Sequence, residues 1–191
     1  MVNIFKAALC CLLILSLAAC GTRPLKPSAS LFAAHQNECV VLIHGLWRSG
    51  FAMRSIANHL ELHGYQVVRI DYPSTRLPVP DLATQFIPPA VQQCKNHHAK
   101  KIHLVTHSLG GILARQFLQD NRLPTGSKVI MLSPPNQGSM LSGKFADTSW
   151  YQWMAGPAGT SLTKQDSGII NQLKAIQEPV GIIAAYRDWS L

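Results

Sequence analysis

The chain predicts an α/β domain built on a parallel sheet. Three observations carry this expectation. Short apolar runs read as buried strands, stretches with helical spacing alternate with them, and KIHLVTHSLGGILARQ (Lys101 to Gln116) reads as strand, tight turn and helix with Ser108 at the tip of the turn. Strands buried on both faces of a parallel sheet are near-continuous apolar runs. Their alternation with helices is the pattern of the parallel class.

Taken in order, CVVLIHGLWRSG (Cys39 to Gly50) is a strand followed by His-Gly. In the next stretch Met53, Ile56, Ala57 and Leu60 share a helical face, and Gly64 is a stop signal. QVVRIDYPS predicts a strand over Gln66 to Tyr72, with a turn at Pro73. Asp81 opens a helix over Leu82 to Cys94, which Pro88 and Pro89 should kink or interrupt, because proline lacks the N–H that a helix needs. Ile102 to Thr106 is the strand before Ser108, and Ile112 to Leu118 the helix after it. Val129 to Ser133 is the next strand. Ser139 to Gln177 reads as loop and weak helix with Trp150, Tyr151 and Trp153 clustered. Val180 to Tyr186 is the fifth strand.

The serine turn holds the chemistry. The nucleophile elbow is G-x-S-x-G, a strained strand-to-helix turn that lifts the serine oxygen above the sheet. The sequence has Thr106-His107-Ser108-Leu109-Gly110, so the first glycine is replaced by threonine. A small residue is needed there because the helix packs close to the turn, and a β-branched one calls for compensation nearby.

At 191 residues and 47% hydrophobic residues, the chain is long and apolar enough for one domain with a real core. Its formal charge of +8 is scattered, with no basic run among aromatics, so nucleic acid is not an expected partner. MVNIFKAALCCLLILSLAAC has a lysine and then an apolar run too short for a comfortable membrane span, which fits a secretory signal. Its end, Leu17-Ala18-Ala19-Cys20, resembles the bacterial lipoprotein lipobox. That resemblance implies a signal peptide over 1–19, lipid on Cys20 with a tether over 20–37, and a folded domain over 38–191. It also implies attachment to the bacterial envelope facing the periplasm. Gly21 after the cysteine resembles outer-membrane sorting.

Three stretches in order resemble the α/β-hydrolase family, in particular bacterial lipases, esterases and related lipoprotein hydrolases: VVLIHGLW, VTHSLGG and MLSPPNQGS. The likeness runs from Cys39 to about Tyr186. It implies an α/β-hydrolase sheet flanked by helices, with Ser108 as nucleophile. The oxyanion donors would be the backbone N–H groups of Leu109 and Leu46. Gly45 and Gly110 would allow close backbone approach. His44 would brace the oxyanion turn, and His107 would pack away from the pocket. In this family the acid and then the histidine follow the serine. All eight histidines here precede Ser108; only Asp120, Asp147, Asp166, Glu178 and Asp188 follow it among the acids. The expectation is therefore a chain cut short at its C-terminus, lacking the last strand or strands and the triad histidine. Asp188 is placed just past a strand and is the candidate acid. Asp166 falls in the polar stretch TKQDSG.

Within this fold Cys39 and Cys94 should lie near one another at the N-terminal edge of the sheet, as a disulfide suited to an oxidising compartment or as two buried thiols. Neither has ligand-type neighbours at zinc spacing, so no metal is expected, nor any cofactor. Trp47, Phe51, Trp150 and Trp153 are candidates for an acyl pocket or lid, or for ordinary packing. The implied partner is a small-molecule or lipid ester, with the membrane reached through Cys20. Two functions compete: a serine ester hydrolase, and a non-catalytic binding or scaffold lipoprotein of the same fold.

Overall fold

All five expected strands form, and they make one parallel sheet. The computed structural model describes residues 35–163 and 168–184. The signal segment, Cys20, Asp166 and Asp188 lie outside the described residues. The strands are β1 (Glu38–Ile43), β2 (Gln66–Arg69), β3 (Lys101–His107), β4 (Val129–Leu132) and β5 (Val180–Ile183), in the order β2-β1-β3-β4-β5. The helices are α1 (Arg54–Leu62), α2 (Val79–Asn96), α3 (Leu109–Asp120), α4 (Met140–Phe145), α5 (Ser149–Thr160) and α6 (Ile169–Gln172). A 3₁₀ turn, Gly50–Met53, leads into α1. Among the described residues no helix is long and apolar enough to cross a membrane.

The alternation of the strand explains the layering. Cys39, Val41 and Ile43 of β1 join the large core with Leu82 and Ile87 of α2 and Ile112 and Leu113 of α3. Val40 and Leu42 point the other way and pack with Met53 and Ala57 beside α1. The register pairs Ile43 with Thr106, and Thr106 with Met131. The C-terminal ends of β1, β3 and β4 are thus level, and the loops leaving them meet over one edge. In open parallel sheets that edge is where ligands bind.

Three expectations need correction. α2 runs unbroken through Pro88 and Pro89. The carbonyls that lose their helical donors belong to Thr84 and Gln85, both exposed, so water can satisfy them. Meanwhile Ile87 just before the prolines and Ala90, Val91 and Cys94 after them stay buried and hold the helix to the sheet. β2 stops at Arg69 rather than Tyr72. Asp71 and Tyr72 leave the sheet to bond elsewhere: the Asp71 carboxylate accepts from Gly50 N–H and Tyr72 N–H donates to the His44 ring. The stretch read as loop and weak helix contains α4, α5 and α6. α5 bends at Gly156 (φ 65°), next to Pro157.

Candidate active site

Ser108 sits between the last residue of β3 and the first of α3, with φ 51° and ψ −120°. That is the left-handed side of backbone space, which costs a side-chain-bearing residue about 1–3 kcal/mol and persists only where surroundings hold it. Three contacts do so. Ser108 N–H donates to the Leu132 carbonyl at 2.9 Å, and the Ser108 carbonyl accepts from Gly111 N–H at 2.9 Å. Gly110 lies so close to the end of β1 that an added Cβ would stand 2.5 Å from the Ile43 oxygen and 2.7 Å from the His44 oxygen. Both are backbone atoms and cannot move aside.

The compensation for Thr106 is visible. Thr106 is fully buried, and its hydroxyl donates to the Ile130 carbonyl at 3.4 Å. The helix facing it has Gly111, where a Cβ would come within 3.4 Å of the threonine oxygen and 3.0 Å of Pro134. The space lost at the first elbow position is recovered at Gly111.

The opposite wall is the turn after β1. Arg48 N–H donates to the Gly45 carbonyl at 3.3 Å and closes it. Trp47 occupies its strained position at φ 56°. It is pinned twice: its backbone N–H donates to Ser74 Oγ at 3.1 Å and its indole N–H to the Met154 carbonyl of α5 at 2.8 Å. Gly45 has no room for a side chain, since a Cβ would lie 2.9 Å from His107 Nδ1 and 3.1 Å from Ser108 Cβ. Among the described residues, neither Leu46 N–H nor Leu109 N–H donates to a backbone carbonyl. Leu109 opens α3, where the first amides have no partner within the helix.

Between these walls lies a cleft of about 430 Å³. Leu46, Trp47, Pro135, Tyr151 and Leu162 supply its apolar lining; Ser108, Ser139, Ser142, Arg48 and His107 supply its polar groups. α5 roofs it. Gly156 packs on the Thr75 carbonyl and Gly159 on the Leu46 side chain, each with no space for a Cβ. Tyr151 and Ser142 share a buried 2.9 Å hydroxyl bond, and Ser142 also donates to the Gly159 carbonyl at 2.8 Å. Of the four aromatics singled out in the sequence, only Trp47 lines the cleft. Phe51, Trp150 and Trp153 are exposed elsewhere, because helical spacing turns Tyr151 inward and its tryptophan neighbours outward. Sequence reasoning passed over Ser142 and noted Tyr151 only as part of the aromatic cluster, since no local pattern marks a bond between two such residues.

The histidines separate by place. His44 is fully buried and stacked on Tyr72, with ring centroids 4.0 Å apart. Its Nδ1–H donates to the Gly45 carbonyl at 2.9 Å, and its Nε2 accepts from Tyr72 N–H at 3.4 Å. Asp71 Oδ1 stands 3.6 Å from the same Nε2. Burial is the dominant influence and pushes the His44 pKa below its ordinary value. A neutral imidazole with both nitrogens engaged holds the turn and has no lone pair for a proton from Ser108. His35 and His103 engage Glu38 at the far, N-terminal end of the sheet. His107 differs from the expectation. It lines the cleft rather than packing away from it, because it ends β3 beside the Gly45 turn, whose missing side chain makes room for its ring.

At the N-terminal edge Cys39 and Cys94 form a disulfide with a Cα–Cα distance of 5.7 Å. No group of histidine, cysteine and acidic residues suited to a metal ion occurs among the described residues.

Residues 40–187 match the sequence profile of the alpha/beta hydrolase family. Among curated proteins none is significantly similar in sequence. Several solved structures share the fold. The mature lipase BlEst2 of Bacillus licheniformis is 23% identical, with 72% of this chain and 58% of that one covered and a TM-score of 0.53. The metagenomic carboxyl esterase MGS0156 is 19% identical, with coverage of 78% and 49% and a TM-score of 0.59. The phospholipase PlaB of Legionella pneumophila is 18% identical, with coverage of 71% and 35% and a TM-score of 0.51. The chain thus spans 58%, 49% and 35% of the lengths of these three proteins.

Proposed function

The chain belongs to the alpha/beta hydrolase family, and from that premise we propose that it is a serine ester hydrolase of lipase or esterase type. Its nucleophile is Ser108. The observation that carries this reading is the strained Ser108 at the floor of a cleft, flanked by two amides with no backbone acceptor. The lipase, esterase and phospholipase names of the fold neighbours agree with it.

In this reading Ser108 Oγ attacks the ester carbonyl and Leu46 and Leu109 N–H hold the resulting oxyanion. The alcohol leaves with a proton and water then releases the acid from the acyl-enzyme. Such donors are each worth ~10²–10³ in rate. The proton needs an imidazole with a free nitrogen and a carboxylate behind it. Among the described residues no such pair adjoins Ser108; Asp188, outside them, is a candidate for the acid, and a histidine supplied by further chain would complete the site. The lipobox-like Leu17-Ala18-Ala19-Cys20 supports attachment to the bacterial envelope, and Gly21 after it supports the outer membrane.

The test is turnover of a chromogenic short-chain ester. The chain ending at Leu191 should be feeble, at most the ~10³–10⁴ over water that oxyanion donors and binding leave in a protease stripped of its triad. A chain continued through the next encoded residues should be active and lose that activity on Ser108→Ala. Strong Ser108-dependent turnover by the shorter chain would place the base among the eight histidines. No turnover by either length would favour the second reading, a non-catalytic binding lipoprotein, which the lack of an imidazole–carboxylate pair beside Ser108 among the described residues also supports. Separately, Cys20→Ala should leave an unprocessed precursor that takes up no labelled fatty acid; equal labelling of both would end the anchoring proposal.

A further inference from the structure

We propose that Arg48 makes the cleft selective for esters that carry a second, anionic group, an inference that rests on the ester-hydrolase reading of the same site. Arg48 follows the proposed oxyanion donor Leu46 by two positions, in the turn that its own N–H closes on the Gly45 carbonyl. The two bonds of Trp47, to Ser74 and to Met154, fix that turn, so the backbone carrying the guanidinium is anchored. Arg48 is exposed at the cleft it lines. Among the described residues, none of the ion pairs engages its side chain.

Among the described residues the cleft offers this cation no counter-charge. No carboxylate is among its lining residues. α5, which roofs it, contains no charged residue, and the single charge of α4 is Lys144. Asp147, between those helices, is exposed and off the cleft. Asp71, the acid nearest this turn, is engaged by Gly50 N–H and the His44 ring and does not line the cleft. A cation that shares its cleft with no described acid, at the mouth of a mostly apolar site, gains most when the ligand itself brings the anion. Guanidinium pairs two N–H groups with the two oxygens of a carboxylate or a phosphate, which gives direction as well as charge. The volume, about 430 Å³, lies toward the small end of ligand sites. The ligand so defined is a short apolar ester with its carbonyl at Ser108 and a carboxylate or phosphate at the mouth. The net charge of +8 adds a long-range pull on such anions.

The test measures binding, so it does not depend on a complete triad. The full chain as Ser108→Ala, which prevents turnover, is titrated by tryptophan fluorescence with monoethyl glutarate and with diethyl glutarate, its neutral match. Monobutyl phosphate supplies the phosphate comparison. The anion should bind about fivefold more tightly at low salt, in line with a partly exposed charge-assisted pair. Arg48→Gln should erase that preference and leave the diethyl ester unaffected, while Arg48→Lys should keep part of it. Tighter binding of monobutyl phosphate than of monoethyl glutarate would assign the anion as phosphate; the reverse would assign carboxylate. Equal affinities for charged and neutral ligands, a preference that survives Arg48→Gln, or no binding of any of the three would overturn the proposal. Arg48 is exposed, so its variants should melt with the parent, and thermal melting checks this. The ester-hydrolase reading fails by a different result: ester turnover that persists in Ser108→Ala, whatever the anion preference.

Discussion

β1 and β5 have similar sequences, VVLI and VGII, and opposite surroundings. No residue from Val40 to Ile43 is more than 2% exposed, whereas Ile182 is 57% and Ile183 63% exposed. Both strands pair in the same parallel sheet. β1 has a strand on either side, α1 over one face and α2 and α3 over the other. β5 has a partner on one side only among the described residues, and its apolar faces are largely bare. An apolar run therefore encodes a strand, while burial is decided by what the rest of the chain lays against it. The Ser108 site grows from the buried half of the sheet, where every element that shapes the elbow is already packed.

The largest expected effect tests the buried half. The Cys39–Cys94 disulfide closes a loop with a sequence separation of 55 residues and ties the start of β1 to the end of α2. The chain-entropy model gives about 4 kcal/mol for a loop of that size. Replacing both cysteines by alanine should cost about that much in urea unfolding under oxidising conditions, and nothing further on adding a reductant. A loss below about 1 kcal/mol would mean that packing alone holds β1 to α2.

Next come two glycines that contrast the same two regions. Gly110→Ala drives a methyl into the carbonyls of Ile43 and His44, so either the elbow or β1 must shift. The cost should reach about 3 kcal/mol, the upper end of overpacking, and ester turnover should fall with it. Gly181→Ala in β5 meets only the tip of Ile130, at 3.0 Å, a side chain that can turn away. It should change stability by less than about 0.5 kcal/mol. Equal losses from both variants, measured by thermal melting, would mean that β5 is held as rigidly as β1.

The sequence revealed most of what the elbow needs, because that unit is local: strand, serine, glycines and helix are consecutive. It also showed that Ser108 has no histidine after it. It did not show α4 and α5. The helix Ser149–Thr160 has a glycine-proline bend and little segregation of apolar residues, and it is held by distant partners: Thr75 under Gly156, Leu46 under Gly159 and Ser142 on Tyr151. The prolines of α2 misled for a related reason. Local chemistry argues for a kink or a break, yet the exposed carbonyls cost little and the buried face on either side of the prolines lets the helix continue without interruption. Arg48 had no sequence signal, because its meaning comes from its place, without a described acid beside it in the lining, in a cleft that only the fold assembles.

The two ends of the buried half should also separate by pH. At the C-terminal end His44 is neutral, with burial lowering its pKa below the ordinary 6.5. The unfolded chain takes up the proton first as pH falls, so stability contributed by neutral His44 is full above about 6.5 and declines below it. At the N-terminal end burial would raise the Glu38 pKa, but hydrogen bonds from Lys101 and His103 outweigh it and lower it from the ordinary 4.5. That contribution is intact above about 4.5 and is lost at more acid pH. Melting temperature should therefore fall between pH 7 and 5.5 in the parent, with a flatter slope in His44→Gln. A slope equally steep in His44→Gln would remove His44 from the account.

The smallest effect is expected at β5 itself. Ile183→Lys places a charge where the side chain is already mostly in water, so it should shift stability by no more than about 0.5 kcal/mol in the chain ending at Leu191. Its effect should appear in association. A bare apolar strand edge is a template for pairing with another chain, and lysine is the usual defence against it. Light scattering at rising concentration should show less self-association for the variant than for the parent. The same substitution then distinguishes two states of the edge. Where continued chain covers β5, Ile183 becomes a core residue and the lysine should cost about 3 kcal/mol, as removing or charging a buried aliphatic side chain does. A near-neutral result in the longer chain would leave β5 as bare there as in the shorter one, and the contrast between β1 and β5 would be a permanent property of the molecule.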